Sequence, residues 1–310
     1  MKPFRGILTP VVTPFRNDAL DEEALHRNIT KWMGTPLQGL VVLGSNGEAP
    51  QLDDDEGDRV IEVARTAVPA GRTLIAGTGR ESTRATIAAT RRAAERGADA
   101  ALVRTPSFFK PQMTEEVFVR FYEDVADASP IPVLLYNVTM FTGVHLPAGA
   151  VERLARHPNI SGMKESGGDM AYIAECIART PDEFTMLAGS ATTCFHALCG
   201  GCDGAILALA SIVPDLCVEL WDLVRAERIT EARELQRRLT PLARSVGTAH
   251  GVPALKAALD LIGFAGGMPR PPLVAAPTSV IETLRRQLDE LRRVPPSLVP
   301  SFGEPGRPAS

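Results

Sequence analysis

The chain has 310 residues, 45% of them hydrophobic, enough to bury a large core in one big α/β domain or two smaller ones. Its formal net charge is −4 with both signs interspersed, which gives no sign of a nucleic-acid or membrane surface. No apolar stretch reaches the roughly 18 residues of a membrane span, Met1 to Gly6 carries no signal-peptide core, and five cysteines make no disulfide framework at this length, so a reducing, cytoplasmic setting is expected.

Along the chain, short runs rich in Val, Ile and Leu alternate with longer helical patterns, the signature of parallel βα units. Strands are expected at 7–12, 40–43, 73–76, 100–103, 132–136, 160–164, 185–187 and 204–207. That is about the number required by a (β/α)₈ barrel. Asp53, with Glu56 three residues on, reads as a capping box. Ser82 is an N-cap for a helix over 83–96, and Gly97 stops it. After the eighth strand the pattern is wholly helical, at 214–226, 230–246, 252–261 and 279–293, and the last of these helices should pack beside the barrel. The expected organisation is a barrel over 1–227, a helical extension over 228–293 and a disordered tail over 294–310, rich in Pro, Gly and Ser. A Rossmann sheet is the rival architecture. It would place G-x-G-x-x-G after the first strand, where this chain has Thr13-Pro14-Phe15.

Cys194, His196, Cys199 and Cys202 raise the question of a zinc or redox site. No second Cys-x-x-Cys follows, and Gly200-Gly201 suits a helix C-cap, so packing of a small-residue helix is the favoured reading.

In a barrel the chemistry sits where strands end at the C-terminal face. Lys164 closes the sixth expected strand and runs into Ser166-Gly167-Gly168. Desolvation disfavours the ammonium form, and a neutral amine attacks ketones to give a Schiff base. The plain alternative is a lysine just past the strand end with its head group in water. Ser166 shares its face if the strand persists. The second strand ends in Gly44-Ser45-Asn46-Gly47-Glu48, which suits either an anion-binding nest or an ordinary βα turn. At the end of the fifth, Tyr136 is placed to pass protons or simply to pack. An amine, a phenol, a hydroxyl and a carboxylate cradle at one barrel mouth suit imine chemistry on a 2-oxo acid.

Gly44-Ser45-Asn46-Gly47-Glu48, Leu135-Tyr136-Asn137-Val138 and Gly162-Met163-Lys164-Glu165-Ser166 resemble the motifs of the dihydrodipicolinate synthase / N-acetylneuraminate lyase family, in order and spacing over roughly 4–290. Within it, Ala76-Gly77-Thr78-Gly79-Arg80-Glu81-Ser82-Thr83 and Lys164-Glu165-Ser166-Gly167-Gly168-Asp169 look most like 4-hydroxy-2-oxoglutarate aldolases. The resemblance implies that Lys164 forms the imine with pyruvate, Tyr136 relays protons, and Ser45 and Asn46 hold the carboxylate. Ser45 would also link Tyr136 into the relay, Ser166 would orient the substrate, and Gly189 and Ile206 would line the pocket. It implies no metal or organic cofactor and a homotetramer built from dimers.

Two departures bear on the substrate. Where dihydrodipicolinate synthases carry an arginine for the aldehyde's carboxylate, this chain has Phe141, which cannot pair with a carboxylate; lysine biosynthesis is therefore not expected. Where relatives lend a tyrosine from a neighbouring subunit, it has Phe108. The leading expectation is an aldolase that cleaves a 4-hydroxy-2-oxo acid to pyruvate and an aldehyde such as glyoxylate. The alternatives are a synthase-like condensing enzyme, a sugar-acid dehydratase using the same imine, and a pyruvate-binding protein without turnover.

Overall fold

The computed structural model describes residues 4–293, and the tail expected over 294–310 lies outside the described residues. Strand β1 spans Gly6–Pro10, and a small hairpin of β2 (Phe15–Arg16) and β3 (Ala19–Leu20) follows it. The remaining strands are β4 Gly39–Val42, β5 Thr73–Gly77, β6 Ala100–Arg104, β7 Val133–Asn137, β8 Ile160–Glu165, β9 Thr185–Ala188 and β10 Gly204–Ile206. Without the hairpin, the eight strands pair in parallel and close in the order β1-β10-β9-β8-β7-β6-β5-β4. This is the (β/α)₈ barrel, and each observed strand overlaps its expected one with ends shifted by a residue or two.

The helices are α1 Glu22–Met33, α2 Asp54–Ala67, α3 Thr83–Glu95, α4 Glu115–Ala128, α5 Thr139–Thr142, α6 Ala148–Leu154, α7 Met170–Arg179 and α8 Cys194–Cys199, followed by α9 Pro214–Arg225, α10 Ile229–Arg244, α11 Gly251–Leu261 and α12 Thr278–Arg293. Helix α2 begins with the capping box: Glu56 N donates to Asp53 at 2.8 Å, and Asp53 N donates to Glu56 at 3.2 Å. Ser82 caps α3 by accepting from Ala85 N, and Gly97 follows that helix at φ +88°, a left-handed value that costs glycine little.

Strand alternation splits the core in two. Leu8, Val41, Ile75, Leu102, Leu134, Leu187 and Ile206 fill the barrel interior. Ile7, Leu40, Val42, Leu74 and Met163 point outward into a second cluster under the helices. Cys176, Cys194, Cys202 and Cys217 are buried in this outer cluster, in agreement with the packing reading, while Cys199 is exposed. Among the described residues, no helix is long and apolar enough to cross a membrane.

The helices after the barrel do more than pack beside it. Helix α10 ends at Arg244, and Ser245–Ala249 form a wide π turn before α11. That turn swings over the C-terminal mouth of the barrel.

Candidate active site

The barrel interior is aliphatic until its last inward layer. There, Tyr136 of β7 and Lys164 of β8 face each other in register on adjacent strands. Because Tyr136 and Lys164 share the inward phase, both are drawn out of water, to 6% and 5% exposure. Lys164 Nζ donates to the Tyr136 hydroxyl at 3.5 Å and lies 4.5 Å from the ring centroid. The lysine therefore does not reach bulk water, which removes the plain alternative of a solvated head group.

Ser45 approaches from the other side, its hydroxyl 3.4 Å from that of Tyr136. The turn that carries Ser45 is set by its backbone. Leu43 adopts φ +56°, which is unfavourable for a non-glycine residue, and its carbonyl crosses over Gly77 on β5. A Cβ on Gly77 would lie 2.0 Å from that oxygen, so only glycine lets the chain turn there. Ser45–Gly47 then form a tight helical turn, anchored where the Thr13 hydroxyl donates to Gly47 O at 2.7 Å. Gly189 works in the same way beside Lys164. A Cβ there would meet the Ser166 hydroxyl at 2.0 Å, so its absence lets Ser166 reach the cavity.

A cavity of about 110 Å³ opens between these groups, room for several waters and hence for a small organic acid. Ser45, Asn46, Tyr136, Lys164, Ser166, Gly189, Ile206 and Phe141 all line it. Phe108 does not. It is 76% exposed, packed edge-on against Phe109, and held there because its backbone N–H donates to Glu81. The cavity of a single chain therefore contains every expected site residue except that one.

Other lining residues escaped the sequence reading. Val246, Gly247, Thr248, Gly251 and Val252, from the π turn and the start of α11, form one wall. Val138 and Met140 join Phe141 on the outer wall. No local pattern marks the residues at 246–252, because they meet the barrel mouth across long stretches of chain, whereas Val138 and Met140 directly follow the Tyr136 motif.

Behind the lysine, facing outward, lies a polar pair the motifs contained but the sequence reading passed over. Glu165 accepts from Asn137 Nδ2 at 2.6 Å, and Asn137 Oδ1 in turn accepts from Leu146 N at 3.1 Å. Glu165 is buried, and that burial raises its carboxyl above the usual 4.5, against the lowering effect of hydrogen bonds from Asn137 and Gly167. Asn137 and Glu165 are register partners one residue beyond Tyr136 and Lys164, so the pair ties the two site strands together at their ends.

The pattern of the dihydrodipicolinate synthetase family matches residues 3–291. The chain belongs to that family. It is 35% identical over 293 residues to the 4-hydroxy-tetrahydrodipicolinate synthase of Methanopyrus kandleri, covering 94% of this chain and 97% of that protein. Against the enzyme of the same name from Thermodesulfovibrio yellowstonii, identity is 38% over 260 residues, with 84% and 89% covered. The crystal structure of dihydrodipicolinate synthase from Thermotoga maritima superposes with a TM-score of 0.89 at 32% identity, covering 93% of this chain and 98% of that one.

These names correct the leading expectation. Relatives that align over nearly the whole chain are named as synthases, so the reading as a 4-hydroxy-2-oxo acid aldolase, and the closer likeness to 4-hydroxy-2-oxoglutarate aldolases, do not stand. The physical reason is that the motifs behind that expectation lie in glycine-rich turns and on the lysine strand, where no residue distinguishes making a carbon–carbon bond from breaking one.

Proposed function

We propose that this dihydrodipicolinate synthetase family member is a condensing enzyme that joins pyruvate to an aldehyde through an imine on Lys164. The observation that carries the reading is the buried amine of Lys164 in register with Tyr136 and within reach of its hydroxyl. The names of the relatives support condensation over cleavage.

In this reading the amine adds to the pyruvate ketone and water leaves, giving a protonated imine. A proton then leaves the methyl carbon and the imine nitrogen takes up the electron pair, leaving an enamine. The enamine carbon attacks the aldehyde, forming the new bond, and water releases the product and regenerates the amine. Tyr136, linked to Ser45, passes the protons. Ser45 and Asn46 hold the carboxylate, Ser166 orients the bound acid, and Gly189 and Ile206 border its small end. Val138, Met140 and Phe141 present an apolar surface to the aldehyde. No metal or organic cofactor enters this scheme. The exposed Phe108 and Phe109 fit a surface covered by a second copy, in a homotetramer of paired dimers. A cytoplasmic enzyme with no nucleic-acid or membrane partner completes the proposal.

The test is borohydride reduction with pyruvate, read by mass spectrometry, followed by pyruvate consumption with a panel of aldehydes. The adduct should map to Lys164 and vanish in Lys164→Ala, and pyruvate should disappear only when an aldehyde is supplied. An adduct with no consumption under any aldehyde would leave a pyruvate-binding protein without turnover.

A further inference from the structure

We propose that Lys256 and Glu48 form a buried strut that positions the Ser45–Asn46 turn for the substrate's carboxylate, so that Lys256 of helix α11 sets substrate affinity without touching the substrate. The inference rests on the pyruvate-imine reading above.

Glu48 directly follows the Ser45–Gly47 turn and adopts a left-handed φ of +55°. Its carboxylate points away from the cavity, into the junction between the barrel and the later helices. One oxygen lies 2.5 Å from Lys256 Nζ and the other accepts from Arg270 N at 2.7 Å. Both side chains of the ion pair are essentially fully buried, at 1% and 0% exposure. Lys256 also donates to Met268 O at 2.9 Å, with its ammonium 4.6 Å from the centre of the Phe15 ring. Burial pulls the amine of Lys256 below its ordinary value, and the Glu48 carboxylate opposes that pull.

Stability alone does not account for this arrangement. Desolvating two charges costs about as much as their attraction returns, and an apolar pair of similar volume commonly holds a fold as well or better. What an ion pair with further hydrogen bonds adds is a fixed geometry. The Ser45–Gly47 turn needs one, since beyond the Thr13 bond to Gly47 O its own backbone bonds are few: Gly47 N to Gly44 O at 3.0 Å, Glu48 N to Ser45 O at 3.2 Å and Ala49 N to Gly44 O at 3.5 Å. The strut also joins two walls of the cavity. Val252, four residues before Lys256 and so on the same face of α11, lines the cavity directly.

A strut acting on the carboxylate cradle makes a selective prediction. Imine trapping on Lys164 is measured against concentration for pyruvate and for acetone, a ketone with no carboxylate, in the full chain. In Lys256→Met, half-saturation for pyruvate should rise roughly tenfold, since small displacements of a positioned group are costly. Acetone trapping, and the pyruvate adduct at saturation, should match the unaltered chain. Should Lys256→Met fail to fold, the double variant Glu48→Gln/Lys256→Met decides, because it leaves no charge unpaired and still lacks the strut. Unchanged pyruvate half-saturation in a folded variant would overturn the proposal, as would equal weakening of pyruvate and acetone. Absence of any adduct in the unaltered chain would defeat the imine reading itself, and the strut with it.

Discussion

Tyr136 is the residue whose role is least replaceable in the proposed chemistry, because among the described residues its hydroxyl is the one side-chain group within reach of both Ser45 and Lys164. Tyr136→Phe keeps the ring that packs over the amine and removes only the proton carrier. Turnover should fall on the order of 10²-fold, as loss of a positioned acid or base does, while thermal stability stays near that of the parent; near-normal rates would assign the phenol to packing. Glu165 is a second case in which one atom separates two effects. Burial raises its carboxyl above 4.5, so the folded chain keeps a proton that the unfolded chain has already lost. The folded state then binds more protons in the window above 4.5, and stability falls as pH rises through it. Glu165→Gln cannot titrate, but it turns an amide NH₂ toward one of two donors, Asn137 Nδ2 or Gly167 N, which costs about 1–3 kcal/mol. The parent should therefore melt above the variant at pH 4, with the gap narrowing as pH is raised. A gap that widens with pH would mean the carboxylate is held ionised.

Among the elements, the β4 and β5 ends and helix α2 separate stability from function. Gly77 is the point where the carbonyl of Leu43 crosses β5, so Gly77→Ala forces the turn bearing Ser45 to move. Overpacking of this kind costs about 1–3 kcal/mol. Asp53→Ala removes the α2 cap at a cost of about 1 kcal/mol but leaves the barrel mouth alone. Both variants should melt lower, and only Gly77→Ala should weaken imine trapping by pyruvate; equal trapping in the two would remove the turn from the site. The capping box and the barrel strands were legible in sequence because the first depends on residues three apart and the strands, buried on both faces, read as short continuous apolar runs. The β2–β3 hairpin was not, although Asn17 and Asp18 both sit at positive φ, since strands of two residues carry no alternation. The cavity wall at 246–252 was hidden for a different reason. The expected helices stop at 246 and resume at 252, and nothing local tells that the break between them holds a π turn lying over the barrel mouth.

At the scale of the molecule, the described residues expose an ordered apolar surface. Phe108 and Phe109 are 76% and 66% exposed, with Met140 and Phe141 likewise in the open. The loop is not loose: Glu81 accepts from Ser107 N and Phe108 N, both at 2.8 Å, and pairs with Arg104 at 2.7 Å. A carboxylate and an arginine spent on holding two phenyl rings in water make little sense for a free surface, because burying those rings is worth about 1.5–3 kcal/mol each. A second copy of the chain is the proposed cover. Light scattering should then give a mass well above the 33.2 kDa of one chain. Phe108→Asp/Phe109→Asp should lower it by placing two charges in a dry contact. The sequence resemblance implies a tyrosine from a neighbouring subunit where this chain has Phe108, so the same variant tests a part for this loop in the site. If the partner's loop closes the cavity, turnover falls together with the mass. A chain that stays monomeric at all concentrations, with full turnover, would show instead that the rings serve neither purpose.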